Sequence, residues 1–497
     1  MRVAGWFLVW VGMLFAGTVR GGEESEYYRL ETYGVPDALK LEASGLAVLP
    51  DGRLAVAIRK GEVWIIEKPT AEPASAESLG YHLFASGLHE PLGLAWHDGA
   101  LYTTQRSEVT RLEDRDGDGT ADAYLSAAKG WGVSGNYHEY AYGPVFDSDG
   151  NMWVTLNATI GDRPEMPGNR ATEFPWRGWS MMMRPGGELE PVSCGLRSPC
   201  GIGVNGAGDV FATDQQGTWW GTNPLVHLKA GAFHGHADAL ADAGRPGSRV
   251  EHPGTVPQGL TVAQAISAIP GYAAPAVWFP YDKMGQSTTG LACDLTGGKF
   301  GPFEGQFFVG EFTQAFVSRV FLEKVGGEYQ GACFRFRSGF QSAVVSLAFL
   351  PDGSLVAGET NRGWNSLGTR SFGLERVVWT GRVPFEILKM EARPGGFLLT
   401  FTEKVDVESA ERLGSYVMSS YTYTYHQRYG SEEVDARAVD VKGVKIGDDG
   451  RSVLLKCGGL RPGYVHELHV EGLRSAEGKA LLHPEAYYTL NRIPKSG

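Results

Sequence analysis

His138 stands beside Glu139 in the run Asn136-Tyr-His-Glu-Tyr-Ala-Tyr-Gly143. The pair joins a base that titrates near neutral pH to a carboxylate able to set its tautomer. Such a pair can take a proton from a sugar hydroxyl, with Tyr140 as a further catalytic candidate and Tyr142 as a binding one. Arg197, in LRSPCG, offers a planar fork of donors suited to a carboxylate or to sugar hydroxyls. Asp214 and Gln216 follow it in TDQQG, and an Arg197–Asp214 ion pair is the structural alternative. Arg106, in TTQRSE, occupies the place of Asp214 in an earlier repeat and carries the same two readings.

A second chemistry is written in Asp114-Arg-Asp-Gly-Asp-Gly-Thr-Ala-Asp122. Asp114, Asp116 and Asp118 stand two apart in a glycine-broken loop, Asp122 follows, and the Thr120 carbonyl is an added oxygen. Hard oxygen ligands at this spacing converge on calcium, here in a structural role, and a solvated acidic turn is the alternative. A third group is Trp219 and Trp220, a flat apolar platform for a sugar face, followed by His234 and His236. Histidines two apart on an extended segment lie on one side, as a metal or a polar substrate requires. The alternating aromatics from Tyr421 to Gly430 read as a half-buried strand or as a sugar-stacking surface.

The elements that must position these residues repeat. GLAVLPDGRLAVAIRKGEVWII begins at Gly45 and GLAWHDGALYTTQRSEVTRL at Gly93. GPVFDSDGNMWVTLN begins at Gly143, GIGVNGAGDVFATDQQG at Gly201, GLACDL at Gly290 and SLAFLPDGSLVAGET at Ser346. Each is a hairpin, with apolar alternation on both sides of an Asp-Gly or similar turn. Six in series, mostly at roughly 50-residue spacing, predict a six-bladed β-propeller over residues 23–383. Its functional residues belong at the mouth of the central channel. The long gap between the fourth and fifth repeats holds an insertion, 218–286, read as a lid or binding loop, and 161–179 reads as a second irregular cover. From residue 384 to 497 short alternating runs predict an immunoglobulin-like β-sandwich, so the chain is all-β.

Trp6–Ala16 is an apolar run after Arg2 and before small residues, which reads as a signal peptide over residues 1–22 and a secreted or periplasmic protein. No stretch is long enough for a stable membrane span. A net charge of −12 speaks against nucleic acid as a partner. Of five cysteines, Cys194 with Cys200 and Cys293 with Cys333 are placed either to pair or to stay as buried thiols.

The stretches His138–Asn157 and Leu196–Leu240, with FEGQFFVGEFTQAFVSRVFLE and VVSLAFLPDGSLVAGET, resemble the glucose/sorbosone dehydrogenase family, in order, over about residues 40–380. The likeness is greatest to secreted dehydrogenase-like propeller proteins often fused to cytochrome c domains. The resemblance implies a six-bladed propeller that uses pyrroloquinoline quinone and calcium. It also implies His138 as the base for a sugar hydroxyl and Arg197 against the quinone. The sequence departs in reading His-Glu-Tyr-Ala after the base and Ser198 after the arginine. The cations that would neutralise a quinone's carboxylates are not evident around Glu311 or 342–345. With no haem module in the chain, a separate electron acceptor is implied. The functions left standing are a sugar oxidoreductase, a lyase or hydrolase of anionic polysaccharides, and a non-catalytic glycan-binding propeller.

Overall fold

The computed structural model describes residues 23–160 and 175–495. The signal-peptide segment and most of the 161–179 stretch lie outside them. The six hairpins become six four-stranded antiparallel blades, five of them separate sheets and the fifth continuous with strands of the C-terminal region. Their innermost strands are Ala43–Val48, Leu94–His97, Ala141–Phe146, Gly201–Val204, Thr288–Cys293 and Val344–Phe349. Each packs on the next, and the sixth returns to the first, so the ring is closed. Blade six takes its outer strand from the N-terminus: Tyr28–Thr32 pairs antiparallel with Phe372–Trp379, from Tyr28 opposite Trp379 to Thr32 opposite Glu375.

The glycine that opens most of the repeats now has a reason. A Cβ on Gly45 would lie 2.5 Å from the Gly93 carbonyl carbon, and one on Gly93 2.3 Å from the Gly143 carbonyl oxygen. On Gly201 it would lie 2.1 Å from the Thr289 oxygen, and on Gly290 2.6 Å from the Val345 oxygen. Neighbouring inner strands therefore meet backbone to backbone, a close approach that only glycine permits. Gly93 and Gly143 also sit at φ 123° and 110°. Ser346 holds the corresponding place in blade six, at a register shift like those in blades one, three and five.

The insertion is a buttress. It leaves blade four after Asn223–His227 and carries a 3₁₀ turn, Ala237–Asp242, and a helix, Val262–Ala268. The helix begins at Thr261, whose side chain caps the Gln264 amide while Gln264 caps back. The segment then returns as the outer strand Val277–Phe279. On the way Leu260 and Thr261 pair with Tyr425 and Thr424 of the C-terminal region, so the insertion joins the two parts.

The C-terminal strands are not a separate layer. Glu485–Leu490 pairs with the outer strand of blade five, Gly331 opposite Thr489 to Cys333 opposite Tyr487, which makes one eleven-stranded sheet. Phe397, Leu399, Leu455, Leu468 and Tyr488 form a core with Phe321 and Phe334 of blade five. Beside it lies a buried charge cluster. His483 Nδ1 meets Glu386 at 2.6 Å and Nε2 meets Glu24 at 3.1 Å, while Glu24 pairs with Arg337 at 3.2 Å. The two carboxylates hold the imidazole protonated, its pKa raised to about 9 against the burial that opposes it. The N-terminus, blade five and the C-terminal region are thereby tied at one point. None of the five cysteines is paired, so neither disulfide forms.

Gly201→Ala is expected to cost about 1–3 kcal/mol through overpacking against the Thr289 carbonyl. Urea unfolding measures this, and an unchanged midpoint would refute the backbone contact as a constraint.

Candidate functional site

Loops at one end of the channel enclose a cavity of about 980 Å³ lined from all six blades. The loop before blade three supplies Tyr137, His138 and Tyr140. Its shape comes from Asn136, whose Oδ1 accepts the His138 amide at 2.8 Å while its Nδ2 donates to the Ile160 carbonyl at 3.0 Å. His138 is exposed to the cavity. Partial desolvation holds its pKa below the usual 6.5, and the Arg197 and Arg106 charges push the same way. The imidazole is therefore neutral at pH 7 and able to accept a proton.

Glu139 does not serve that imidazole. Its carboxylate is buried and accepts from the Ser134 amide and hydroxyl, the latter at 2.7 Å, and from the Thr159 hydroxyl at 3.0 Å. It anchors the loop from the far side, because Tyr137 and His138 form a turn, closed by the Glu139 amide on the Asn136 carbonyl at 3.2 Å, that carries the two side chains apart. The imidazole instead donates a hydrogen bond to the Ile160 carbonyl.

Tyr140 is buried between two guanidinium groups, with Arg106 at 4.4 Å and Arg59 at 5.0 Å from its ring centroid. Glu90 bridges both arginines. Arg106 also donates to the Asn136 and Tyr137 carbonyls, at 3.3 and 3.0 Å, and does not line the cavity. It supports the site rather than binding in it. Burial raises the Tyr140 phenol. Tyr137 behaves differently: its hydrogen bond from Tyr140 lowers the phenol, and the Arg59 guanidinium, 3.2 Å away, adds to the effect.

On the blade-four side, Asp214 is fully buried and accepts the amides of Arg197, Ser198 and Gln215 at 2.6, 2.7 and 2.7 Å. Burial raises its pKa to about 6. With its oxygens on backbone amides, it shapes the loop and leaves Arg197 without a close ion pair among the described residues. The guanidinium lies instead 5.3 Å from the Tyr429 ring centroid, over Gly217, where a Cβ would strike Nε at 2.0 Å. Arg197 is only 8% exposed, and its Nε has no partner among the described residues. Tyr142, Ser198 and Gln216 complete this deep wall.

Several sequence candidates lie elsewhere. Trp219 and Trp220 are buried and form no open platform: Trp219 bonds Asp238 at 3.1 Å and packs on Tyr425, and Trp220 packs on Trp278. His234 and His236 are buried with separate partners, the Ser193 and Thr218 hydroxyls, each at 3.0 Å. Burial lowers both to about 3. Gly235 between them takes φ 125°, which breaks the alternation expected to align them. In blade two, Asp114, Asp116 and Asp122 bring ligand oxygens within 4.8 Å of one another on the surface, away from the cavity. Asp118 instead takes the Thr120 amide at 2.8 Å.

The sequence reading missed Arg59, Tyr137, Arg362, Trp364 and Arg428 as lining residues. One signal was there: Arg59 and Arg362 follow the second strands of blades one and six, the place for which Arg106 was singled out. Nothing local marks Trp364, and Arg428 lies in the aromatic run from Tyr421 to Gly430 without standing out there.

A family model described as a domain of unknown function, DUF7133, matches residues 80–339, more than half of the chain. No curated protein matches. Among solved structures, one from Thermus thermophilus, named as an oxidoreductase (glucose dehydrogenase), is 19% identical with a TM-score of 0.50 and covers 71% of this chain and 100% of its own. The PQQ-bound aldose sugar dehydrogenase of Streptomyces coelicolor is 17% identical with a TM-score of 0.46, covering 70% and 98%. The apo aldose sugar dehydrogenase of Escherichia coli is 14% identical with the same score, covering 70% and 99%. The likeness is one of fold, and it agrees with the dehydrogenase-like propeller read from the sequence.

Histidine NMR titration is expected to place His138 below 6.5, and Arg197→Gln to raise it by removing a nearby positive charge. A value at or above 6.5 in the unaltered protein would contradict the neutral base.

Proposed function

The chain belongs to the DUF7133 family, and from that premise we propose that this propeller is a sugar-acting oxidoreductase whose base is His138. The observation that carries the reading is a neutral, accessible imidazole in an arginine-lined cavity at the channel mouth. His138 takes the proton from the hydroxyl being oxidised, and the carbon's hydride must leave to a two-electron acceptor. The names of the fold's solved relatives, sugar dehydrogenases among them, support a carbohydrate substrate.

The donor set of the deep wall fits a polyanionic quinone. Arg197 lines the cavity and its buried Nε has no partner among the described residues, and Arg59 and Arg362 add charge from blades one and six. These residues, with Tyr142 and Ser198, would hold pyrroloquinoline quinone through its carboxylates. When bound, such a quinone supplies the two-electron acceptor. Ser198 and the backbone at Gln215 orient the wall through Asp214. Export and a separate electron acceptor complete the proposal. Among the described residues no helix is long and apolar enough to cross a membrane.

A second reading has its own support in Tyr137. A phenol lowered by its neighbours, beside Arg59, suits proton abstraction next to a uronate carboxylate, as in a polysaccharide lyase. An ultraviolet-absorbing unsaturated product from an anionic polysaccharide would favour it.

Calcium, on the proposed reading, belongs to the blade-two loop as a structural ion held by Asp114, Asp116 and Asp122. Added calcium is expected to raise Tm, and Asp114→Asn to abolish the rise; an indifferent Tm would remove calcium from the proposal.

Pyrroloquinoline quinone added to the protein is expected to shift its absorbance and to support dye reduction with a sugar. His138→Ala is expected to lower the rate by about 10²–10⁴-fold. The rate should fall as pH drops through the His138 pKa, below 6.5, because the protonated imidazole accepts nothing. No absorbance change and no dye reduction across a sugar panel would sink the oxidoreductase.

A further inference from the structure

The cavity has a floor and a rim of different character. The floor residues Arg197, Tyr142 and Gln216 are buried. The rim carries Trp364 at 67% exposure, Tyr429 at 64% and Tyr137 at 53%. Most large aromatic side chains among the described residues are packed away. Of the four most exposed among the described residues, these three line one cavity, and the fourth is Tyr124. They come from three distant parts of the chain: blade six, the loop before blade three and the C-terminal region. Their convergence is made by the fold.

The rim is continuous. Gly363, next to Trp364, lies so close to Tyr137 that a Cβ would sit 3.1 Å from the phenol oxygen. Tyr137 meets the His138 ring at 5.3 Å between centroids. Across the cavity Tyr429 covers Arg197. Arg428, beside Tyr429, is exposed and faces the cavity with no ion-pair or side-chain hydrogen-bond partner among the described residues. The loop bearing both is fixed: the Gly430 amide donates to the Gly217 carbonyl at 2.9 Å, and the Trp219 amide to the His426 carbonyl at 3.1 Å. A band of aromatic faces thus runs over the base and ends at a free guanidinium.

We propose that this rim binds an acidic oligosaccharide, its rings lying on Trp364, Tyr137 and Tyr429 and an acidic group on Arg428. The proposal rests on the reading of the cavity as a sugar site and names its substrate class. Pyranose C–H faces are apolar and pack on aromatic rings while the hydroxyls stay wet, which is why such rings can remain exposed. The volume agrees: about 980 Å³ is at the top of the range of roughly 300–1,000 Å³ for small-ligand clefts, more than one hexose fills. The charge agrees too. In a chain of net charge −12, the described residues line the cavity with Arg59, Arg197, Arg362 and Arg428 and a single acidic side chain, Asp238; Arg59 and Arg362 pair with Glu90 and Glu42, and Arg197 and Arg428 have no ion-pair partner among the described residues. A basic mouth on an acidic body concentrates anions there.

The test is calorimetric binding by the full chain, with galacturonate, tri- and hexagalacturonate and cellohexaose as probes and no turnover required. Hexagalacturonate is expected to bind at least about tenfold more tightly than galacturonate. Trp364→Ala is expected to remove that gain and leave the monosaccharide unchanged. Arg428→Gln is expected to erase the preference for hexagalacturonate over cellohexaose. Both side chains are exposed, and an unchanged Tm confirms folding. Affinity independent of chain length, or a Trp364→Ala protein that keeps the hexamer, would overturn the proposal. Equal binding of cellohexaose and hexagalacturonate by the unaltered protein would overturn its acidic part. Length-dependent binding without dye reduction would uphold the rim and refute the oxidoreductase, so the two readings fail separately.

Discussion

The architecture depends on backbone meeting backbone around the channel. Where Gly45 faces Gly93, Gly93 faces Gly143, and Gly201 faces Thr289, the inner strands of adjacent blades come too close for any side chain. This tight contact sets how narrow the ring is. A narrow ring forces the loops at its end to converge, and convergence puts His138, Arg197 and Trp364 around one cavity although 226 positions separate the first from the last. The N-terminal strand that completes blade six locks the circle, as a last strand taken from the other end of the chain resists opening.

Around that cavity, polar groups divide into those that build and those that are left to bind. Asp214, Glu139 and Arg106 have their hydrogen-bonding capacity taken by the loops they shape. A buried polar group is costly unless paired, so these residues are satisfied within the fold. Arg197 and Asn157 differ, since the buried Nε of the one and the buried Oδ1 of the other have no partner among the described residues. A preformed, unpaired donor in a recess is what an anionic ligand would complete, and the cost of holding it is offset only when that ligand arrives.

The C-terminal region is part of the site. Its last strand extends blade five, its histidine is gripped by Glu24 and Glu386, and its hairpin tip is pinned to Gly217. The insertion in blade four is the brace between them, which explains why its tryptophans and histidines are buried. Residues 427–429 thus stand over the cavity with little freedom, and a rigid wall binds a ligand at lower entropic cost than a mobile one.

Much of this was legible in the residues alone. The period of the hairpins and their Asp-Gly turns are local features, and they determined the six blades. The position of His138 before an inner strand determined its place at the mouth, because a blade's leading loop always opens there. Burial was not local. The two tryptophans and two histidines of the insertion have the composition of a binding loop, but only packing against blade four and the C-terminal region decided that they face inward. Arg106 and Arg59 follow equivalent strands, yet one lies behind Tyr140 and the other reaches the cavity. Trp364 carries no local pattern, and Arg428 and Tyr429 end an aromatic run whose earlier members, Tyr421, Tyr423 and Tyr425, are buried. They belong to the site because ring closure and strand addition bring distant loops together, and contacts across such separations are decided by tertiary structure, not by neighbours in the chain.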